Sequence, residues 1–197
     1  GLEADSTGKP TINWREAYDR GASVKVGSIN QGSGTNPTLL GDQYVAITDN
    51  ADDRINLLVY RRQPDAQGER LICKEPLFKS GSSVTDNSMV AFDRSIILEN
   101  NFGYRFSKEP PTVDKVAGGI SRVDIREDET GCDLIWASKE RSPSVVPKLS
   151  LATGLAYFYT FEPQDNGENA WYLMALDFRT GRTVFKILTG AGASYDN

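Results

Sequence analysis

The sequence predicts an all-β fold assembled from repeated four-stranded units. Its apolar runs are short, rich in β-branched and aromatic residues, and bounded by Gly, Asp, Asn or Pro, which is typical of strands. The clearest runs are residues 43–47, 55–60, 95–98, 155–159 and 172–176. Helical periodicity is scarce, and one short helix is compatible only with residues 14–19.

A turn that contains glycine recurs along the chain, each time followed by a short apolar strand with an aromatic residue at its end. The three clear copies are Thr7-Gly8 before Trp14, Thr130-Gly131 before Trp136, and Thr180-Gly181 before Phe185. A looser copy, Gln67-Gly68, places Cys73 at the aromatic position. Positions 14, 73, 136 and 185 are separated by 59, 63 and 49 residues. Self-similarity at this period is typical of β-propeller blades, in which the aromatic side chain packs on the next blade.

The repeat divides the chain into a β-propeller segment of four-stranded antiparallel blades, about three full blades plus a partial one. We expect the last strand of a preceding blade in residues 1–20, full blades in 33–79, 84–140 and 143–188, and the start of another blade in 190–197. Such an arc leaves blade faces and edge strands open. We therefore expect other polypeptide to complete it, either the remaining blades of a longer chain or a second copy.

The third copy of the repeat carries a family resemblance. Leu176-Asp177, Thr180-Gly181 and Phe185 are similar to the core of the PQQ-like (quinoprotein alcohol dehydrogenase-like) propeller repeat, with Phe185 in the tryptophan place. Residues 5–14 and 128–136 match its latter part, and residues 118–197 resemble functionally uncharacterised bacterial members of this class. The resemblance implies the fold and a periplasmic or secreted setting, but it leaves the activity open because the repeat serves enzymes, scaffolds and sensors.

Quinoproteins of this class hold PQQ on the propeller axis with calcium, often beside two adjacent cysteines. Cys73 and Cys132 are far apart in the sequence, so no cofactor is evident, and PQQ or calcium is an unsupported alternative. The two cysteines form either one disulfide or two buried thiols. Because both flank apolar strand residues, we favour the buried thiols.

Charge and composition argue against several classes of function. The formal charge is −5 with acidic and basic residues interspersed, and no basic stripe suited to nucleic acid is visible. No continuous apolar run approaches the roughly 18 residues of a membrane span. The sequence contains no histidine, which excludes Ser-His-Asp catalysis, Cys-His catalysis and His-based metal sites from this segment.

One hairpin loop is dense in oxygen ligands, with Asp49, Asn50, Asp52 and Asp53 in close succession. Such oxygens suit calcium, but the spacing lacks the central Gly and distal Glu of an EF-hand loop. Asp and Asn also favour turns for local reasons. We favour a structural turn, with a calcium site as the alternative.

Polar residues also recur where the innermost strand of each predicted blade begins. They are Asn36, Asp86, Asn87, Ser142, Ser144, Lys148, Asp196 and Asn197. Innermost strands line the central channel of a propeller, so these residues are expected to surround its mouth and form a ligand site there. The alternative is that they only cap strands. We therefore expect a binding module at the axial mouth, with a quinoprotein-type oxidoreductase or a propeller hydrolase as the alternative.

Overall fold

The computed structural model describes residues 1–104, 115–143 and 146–192, and their regular secondary structure is entirely β. The strands in chain order are β1 (Leu2–Ala4), β2 (Pro10–Ile12), β3 (Thr38–Leu40), β4 (Tyr44–Thr48), β5 (Asn56–Arg61), β6 (Leu71–Pro76), β7 (Val90–Phe92), β8 (Ser95–Glu99), β9 (Ile120–Ile125), β10 (Cys132–Ser138), β11 (Lys148–Ser150), β12 (Leu155–Pro163), β13 (Asn169–Asp177) and β14 (Thr183–Ala191). The described residues include no helix that could span a membrane.

The strands form three four-stranded antiparallel sheets and one two-stranded hairpin. Sheet 1 has the order β3-β4-β5-β6, sheet 2 β7-β8-β9-β10 and sheet 3 β11-β12-β13-β14, while β1 pairs with β2. In each four-stranded sheet, strands that are consecutive in the chain are neighbours. The predicted all-β fold of four-stranded antiparallel sheets is therefore confirmed.

Two details of the structure differ from the expectation. Residues 14–19 form no helix, because this segment runs without regular structure from the first hairpin towards sheet 1. Strand β14 continues to Ala191, so Gly190 and Ala191 pair with Trp171 and Ala170 of the same sheet and do not begin another unit.

The middle sheet separates two hydrophobic cores. Its strand β8 is buried along its whole length because sheets 1 and 3 cover its opposite faces. Ile96 and Leu98 pack with sheet 1 residues such as Leu57, whereas Ile97 packs with Phe158 and other residues of sheet 3. Successive side chains of β8 thus point to opposite faces of sheet 2, and they contribute to the interface with sheet 1 and to the interface with sheet 3.

The recurring turn has the same hydrogen bonds in three places. Asp5, Asp128 and Asp177 each accept, through Oδ1, bonds from the backbone N–H and the hydroxyl of a following threonine, at 2.6–3.0 Å. These turns join β1 to β2, β9 to β10 and β13 to β14. The sequence repeat is therefore a structural repeat of one local hairpin.

Two tryptophans at the ends of these hairpins contact the following sheet. The indole Nε1 of Trp14 donates to the carbonyl of Arg62 in sheet 1 at 3.1 Å, and the guanidinium carbon of Arg70 lies 4.6 Å from the centroid of its ring. Trp136 of sheet 2 donates to the carbonyl of Phe178 at 2.9 Å, beside the turn of sheet 3. A Cβ atom added to Gly181 would lie 2.6 Å from the Trp136 ring, so glycine allows this close contact.

The expectation of two buried thiols was wrong. Cys73 on β6 and Cys132 on β10 form a disulfide that joins sheet 1 to sheet 2, with their Cα atoms 5.7 Å apart. Both residues are buried, as their apolar neighbours suggested. Burial alone did not distinguish a thiol from a bridge, because the distance between the two residues depends on how the sheets pack.

Candidate functional site

The segments that precede the first strands of the three four-stranded sheets, β3, β7 and β11, lie side by side. Asn36, just before β3, donates from Nδ2 to the hydroxyl of Ser88 at 3.1 Å. Asn87, before β7, donates from Nδ2 to the carbonyl of Pro143 at 3.4 Å. The structure thus brings together Asn36, Asp86, Asn87 and Ser142, and Lys148 begins β11 as an exposed residue. Ser144, Asp196 and Asn197 lie outside the described residues.

Asn101, which the sequence analysis missed, organises this region. Its Oδ1 accepts hydrogen bonds from the hydroxyl of Thr85 at 2.9 Å and from the backbone N–H of Asp86 at 2.7 Å, and its Nδ2 donates to the carbonyl of Pro143. One buried amide therefore fixes the start of β7 and connects it to the segment before β11. The Asn100-Asn101 pair, which follows the apolar run 96–98 after one intervening residue, was the available sequence signal.

Asp86 holds the segment that leads into sheet 1. Its Oδ2 accepts a bond from the backbone N–H of Ile29 at 2.6 Å, and Oδ1 lies 3.4 Å from the hydroxyl of Ser28. Burial raises the pKa of Asp86, and these two hydrogen bonds oppose the rise. A Cβ on Gly34 would overlap the Asp86 carboxylate, so glycine at this position makes room for the contact.

Glu99 is a buried carboxyl group beside the predicted mouth residues, and no sequence pattern singled it out. It is 1% exposed, and its Oε1 accepts a hydrogen bond from Nδ2 of Asn87 at 2.9 Å. Burial raises the pKa of Glu99 well above its ordinary value, and the neighbouring Ser142 hydroxyl and Asn87 amide offset only part of this rise. Glu99 Oε2 and Ser142 Oγ are both buried without a partner of hydrogen-bond geometry among the described residues.

The acidic loop between β4 and β5 is a hydrogen-bonded turn. Asp49 is buried and accepts bonds from the backbone N–H of Asn56 at 2.7 Å and from its Nδ2 at 2.6 Å. Asn50 donates from Nδ2 to the carbonyl of Arg20 at 2.9 Å. Asp52 accepts from the backbone N–H of Ala22 at 2.9 Å. The carboxylate of Asp53 accepts from the hydroxyl of Ser80.

Two lysines supply positive charge at this loop, and the Nζ of one of them, Lys74, lies 3.9 Å from Oδ2 of Asp49. Lys25 Nζ donates to the carbonyls of Ala51 and Ser83, the latter at 3.3 Å. Burial lowers the pKa of Lys25, and Asp52 and Asp49 oppose that shift. Within the described residues, no three His, Cys, Asp or Glu side chains are grouped as metal ligands. The favoured structural turn agrees with this geometry, and a calcium site stays a prediction.

Comparison with known proteins gives little information about function. A scan against known protein families finds no match. The chain is similar to an uncharacterized protein of Archaeoglobus fulgidus, with 24% identity over an alignment 196 residues long. The alignment covers 82% of this chain and 38% of the relative. The chain thus spans less than half the length of that relative. The archaeal source gives no support to the expected bacterial origin.

Proposed function

We propose that the chain is a section of a PQQ-like β-propeller that binds a ligand or a partner protein at the end of the sheets where the innermost strands begin. The observation that carries the proposal is the meeting of three such segments, through the contacts from Asn36 to Ser88 and from Asn87 to Pro143. In a propeller this end of the innermost strands surrounds the channel mouth. Polar groups that converge at such a mouth are the default ligand site.

The propeller arrangement is supported by the way in which the sheets follow one another. Sheet 1 packs on sheet 2, sheet 2 on sheet 3, and the tryptophan contacts run each time from one hairpin to the following sheet. The outer face of sheet 3 contains the directly paired residues Tyr159, Leu173 and Ile187. Leu173 and Ile187 are 40% and 55% exposed. We propose that a further four-stranded sheet of the same protein covers this face.

A secreted or periplasmic setting belongs to the same proposal. The Cys73–Cys132 bridge supports it, because disulfides persist mainly in oxidising compartments.

The proposed ligand site is tested by measuring thermal stability with candidate ligands. The probes are maltose, N-acetylglucosamine, glutamate, calcium chloride, and PQQ together with calcium, on the wild type and on an Asn36→Ala/Lys148→Ala variant. Both substituted residues are exposed, so the variant keeps the buried hydrogen bonds of the region. We expect an organic probe other than PQQ to raise the melting temperature of the wild type and to raise that of the variant less.

Two results would contradict this proposal. Binding of PQQ, followed by reduction of an electron-acceptor dye on addition of an alcohol, would favour the oxidoreductase. An equal rise in melting temperature for wild type and variant would place the ligand elsewhere on the chain.

A further inference from the structure

A groove between sheets 1 and 2 combines basic and apolar side chains in its lining. It has a volume of about 580 Å³, which is within the usual range for small-molecule sites. It is bounded by the end of β6 with the loop that follows, by the start of β9, and by the end of β10. The residues before the innermost strands, Asn36, Asp86, Asn87 and Ser142, do not line it. We call this space the inter-sheet groove.

Among the residues that the structure describes, four basic side chains and no acidic one line the inter-sheet groove, in a chain of net charge −5. Arg54 and Lys79 come from the sheet 1 side, and Lys139 and Arg141 from the sheet 2 side. The carboxylate of Asp53 is directed to Ser80, and neither residue lines the groove. Cations that converge in a concave site raise the local concentration of anions.

The cations of the groove differ in how far they are neutralised, since Arg54 interacts electrostatically with Glu75, which is not part of the groove lining. Among the described residues, the ammonium groups of Lys79 and Lys139 have neither an ion pair nor a hydrogen bond, whereas Arg61, Arg126 and Lys186 elsewhere in the chain are paired with carboxylates.

The two arginines are held in place by carbonyl groups. Arg54 donates from Nη2 to Pro76 at 3.1 Å, and Arg141 from Nε to Val116 at 3.0 Å. The Nε of Arg54 is buried and has no partner in the described part of the chain. Each guanidinium therefore keeps further N–H donors for a ligand.

Two glycines allow the backbone to approach closely beside these cations. A Cβ on Gly118 would lie 2.0 Å from the carbonyl oxygen of Lys139, and a Cβ on Gly119 would lie 2.6 Å from the ring of Phe78. The backbone N–H of Gly119 donates to the carbonyl of Glu140 at 2.9 Å. The segment that carries Lys139 is therefore held against the start of β9, and this contact fixes its position relative to Phe78.

Part of the groove wall is apolar. Phe78 is half-buried and adopts a φ of 63°, and Leu134 is 48% exposed. Pro76 and Ala117 complete this surface. An occupant that satisfies both parts of the groove has an anionic group for the cations and a small apolar body for the wall.

We propose that the inter-sheet groove binds a small organic anion, with a phosphate or carboxylate group between the basic side chains and an apolar body against Phe78 and Leu134. This site goes beyond the proposed channel-mouth site and does not depend on it. Since Lys79 and Lys139 are exposed, the interaction weakens as the salt concentration rises.

The test is a calorimetric titration of the protein at low ionic strength with phenyl phosphate, phenylacetate, benzyl alcohol and inorganic phosphate. We expect at least one aromatic anion to bind more tightly than inorganic phosphate, and benzyl alcohol not to bind. Tighter binding of phenyl phosphate than of phenylacetate would show that the groove prefers a phosphate group. The opposite order would show that it prefers a carboxylate. Absence of binding by both aromatic anions overturns the proposal.

Charge-matched variants locate the binding. In Lys79→Gln/Lys139→Gln the affinity for the aromatic anion is expected to fall about tenfold or more, from the loss of two charge-assisted contacts. Lys9→Gln/Arg179→Gln changes the net charge equally at exposed positions outside the groove, and its affinity is expected to stay within about twofold of wild type. Equal losses in the two variants would mean a general charge effect and would overturn the site. Melting temperatures of both variants establish that each is folded.

Discussion

Cys73 on β6 is covalently bonded to Cys132 on β10, and this bond joins the edge strands of two neighbouring sheets. The repeat aligns Cys73 with Trp14 and Trp136, each of which contacts the following sheet through its indole. At this position the chain therefore links adjacent sheets in two ways, by a docked tryptophan or by a disulfide. The feature that recurs along the chain is the link from one hairpin to the next sheet.

Loss of the disulfide is expected to reduce the stability of the protein considerably. The bridge closes a sequence separation of 59 residues, for which the loop-entropy relation gives roughly 4 kcal/mol at 25 °C. Cys73→Ser/Cys132→Ser is expected to lower the free energy of unfolding in urea by up to this amount. Each single variant should lose a similar amount, because either one breaks the bond. A wild type whose stability is unchanged by a reductant would contradict the bridge.

The contact between Gly181 and Trp136 is tested by a pair of glycine substitutions. Gly68 and Gly181 have similar positive φ values of 72° and 70°, but only a Cβ at position 181 would collide with a tryptophan ring. Gly68→Ala is expected to lower stability by about 1 kcal/mol through backbone strain alone. Gly181→Ala should cost about 1–3 kcal/mol more, because it displaces the indole. If chemical denaturation shows equal losses of unfolding free energy for Gly68→Ala and Gly181→Ala, the ring contact does not contribute to stability.

Glu99 is expected to make stability depend on pH in a defined direction. Because its pKa is raised in the folded protein, the folded state keeps a proton that the unfolded state releases above the ordinary value of 4.5. Its contribution to stability is therefore undiminished below that pH and is progressively lost as the pH rises through the folded-state pKa. Glu99→Gln, which mimics the neutral acid, should be more stable than wild type at pH 7 by on the order of 1–3 kcal/mol.

The measurement for Glu99 is the difference in unfolding free energy between variant and wild type from pH 4 to pH 8. The difference should approach zero near pH 4 and grow with pH. Burial also raises the pKa of Asp86. Because both proteins contain Asp86, its contribution to the pH dependence cancels from the difference in unfolding free energy. Glu127→Gln removes an exposed carboxylate and should show no comparable trend. A constant difference for Glu99→Gln would disprove the coupling.

Calcium is expected to have no effect on the acidic loop. Because Lys25 already lies among Asp49, Asp52 and Asp53, a divalent ion would meet a fixed positive charge there. Calcium chloride at millimolar concentration and excess EDTA should leave the melting temperature of the wild type unchanged. A calcium-dependent rise that Asp52→Asn abolishes would establish the calcium site instead.

The uncovered face of sheet 3 is expected to cause self-association of this chain in solution. Leu173→Lys/Ile187→Lys places charges on that face and should shift the protein towards monomer in light scattering. Leu151→Lys is a suitable control, because Leu151 is 61% exposed in the turn between β11 and β12. A wild type that is compact and fully monomeric at high concentration would contradict the expectation.

Local chemistry made much of the fold predictable. Short β-branched runs and the turns at Gly8, Gly131 and Gly181 depend on neighbouring residues, so the strands and their hairpins follow from the sequence itself. The same chemistry identified the polar segments before β3, β7 and β11. It failed at the end of β14, where pairing with β13 extends the strand through Gly190 against its low strand propensity.

The sequence alone determined the all-β class, the repeat and the turn chemistry of this protein, because each arises from residues close together in the chain. Only the tertiary structure decided that Cys73 bonds to Cys132, that Lys25 lies in the acidic loop, and that four basic side chains share a groove. Each of these depends on a distance between residues far apart in the chain. Such distances are set by the packing of one sheet on another, and the local sequence pattern does not determine that packing.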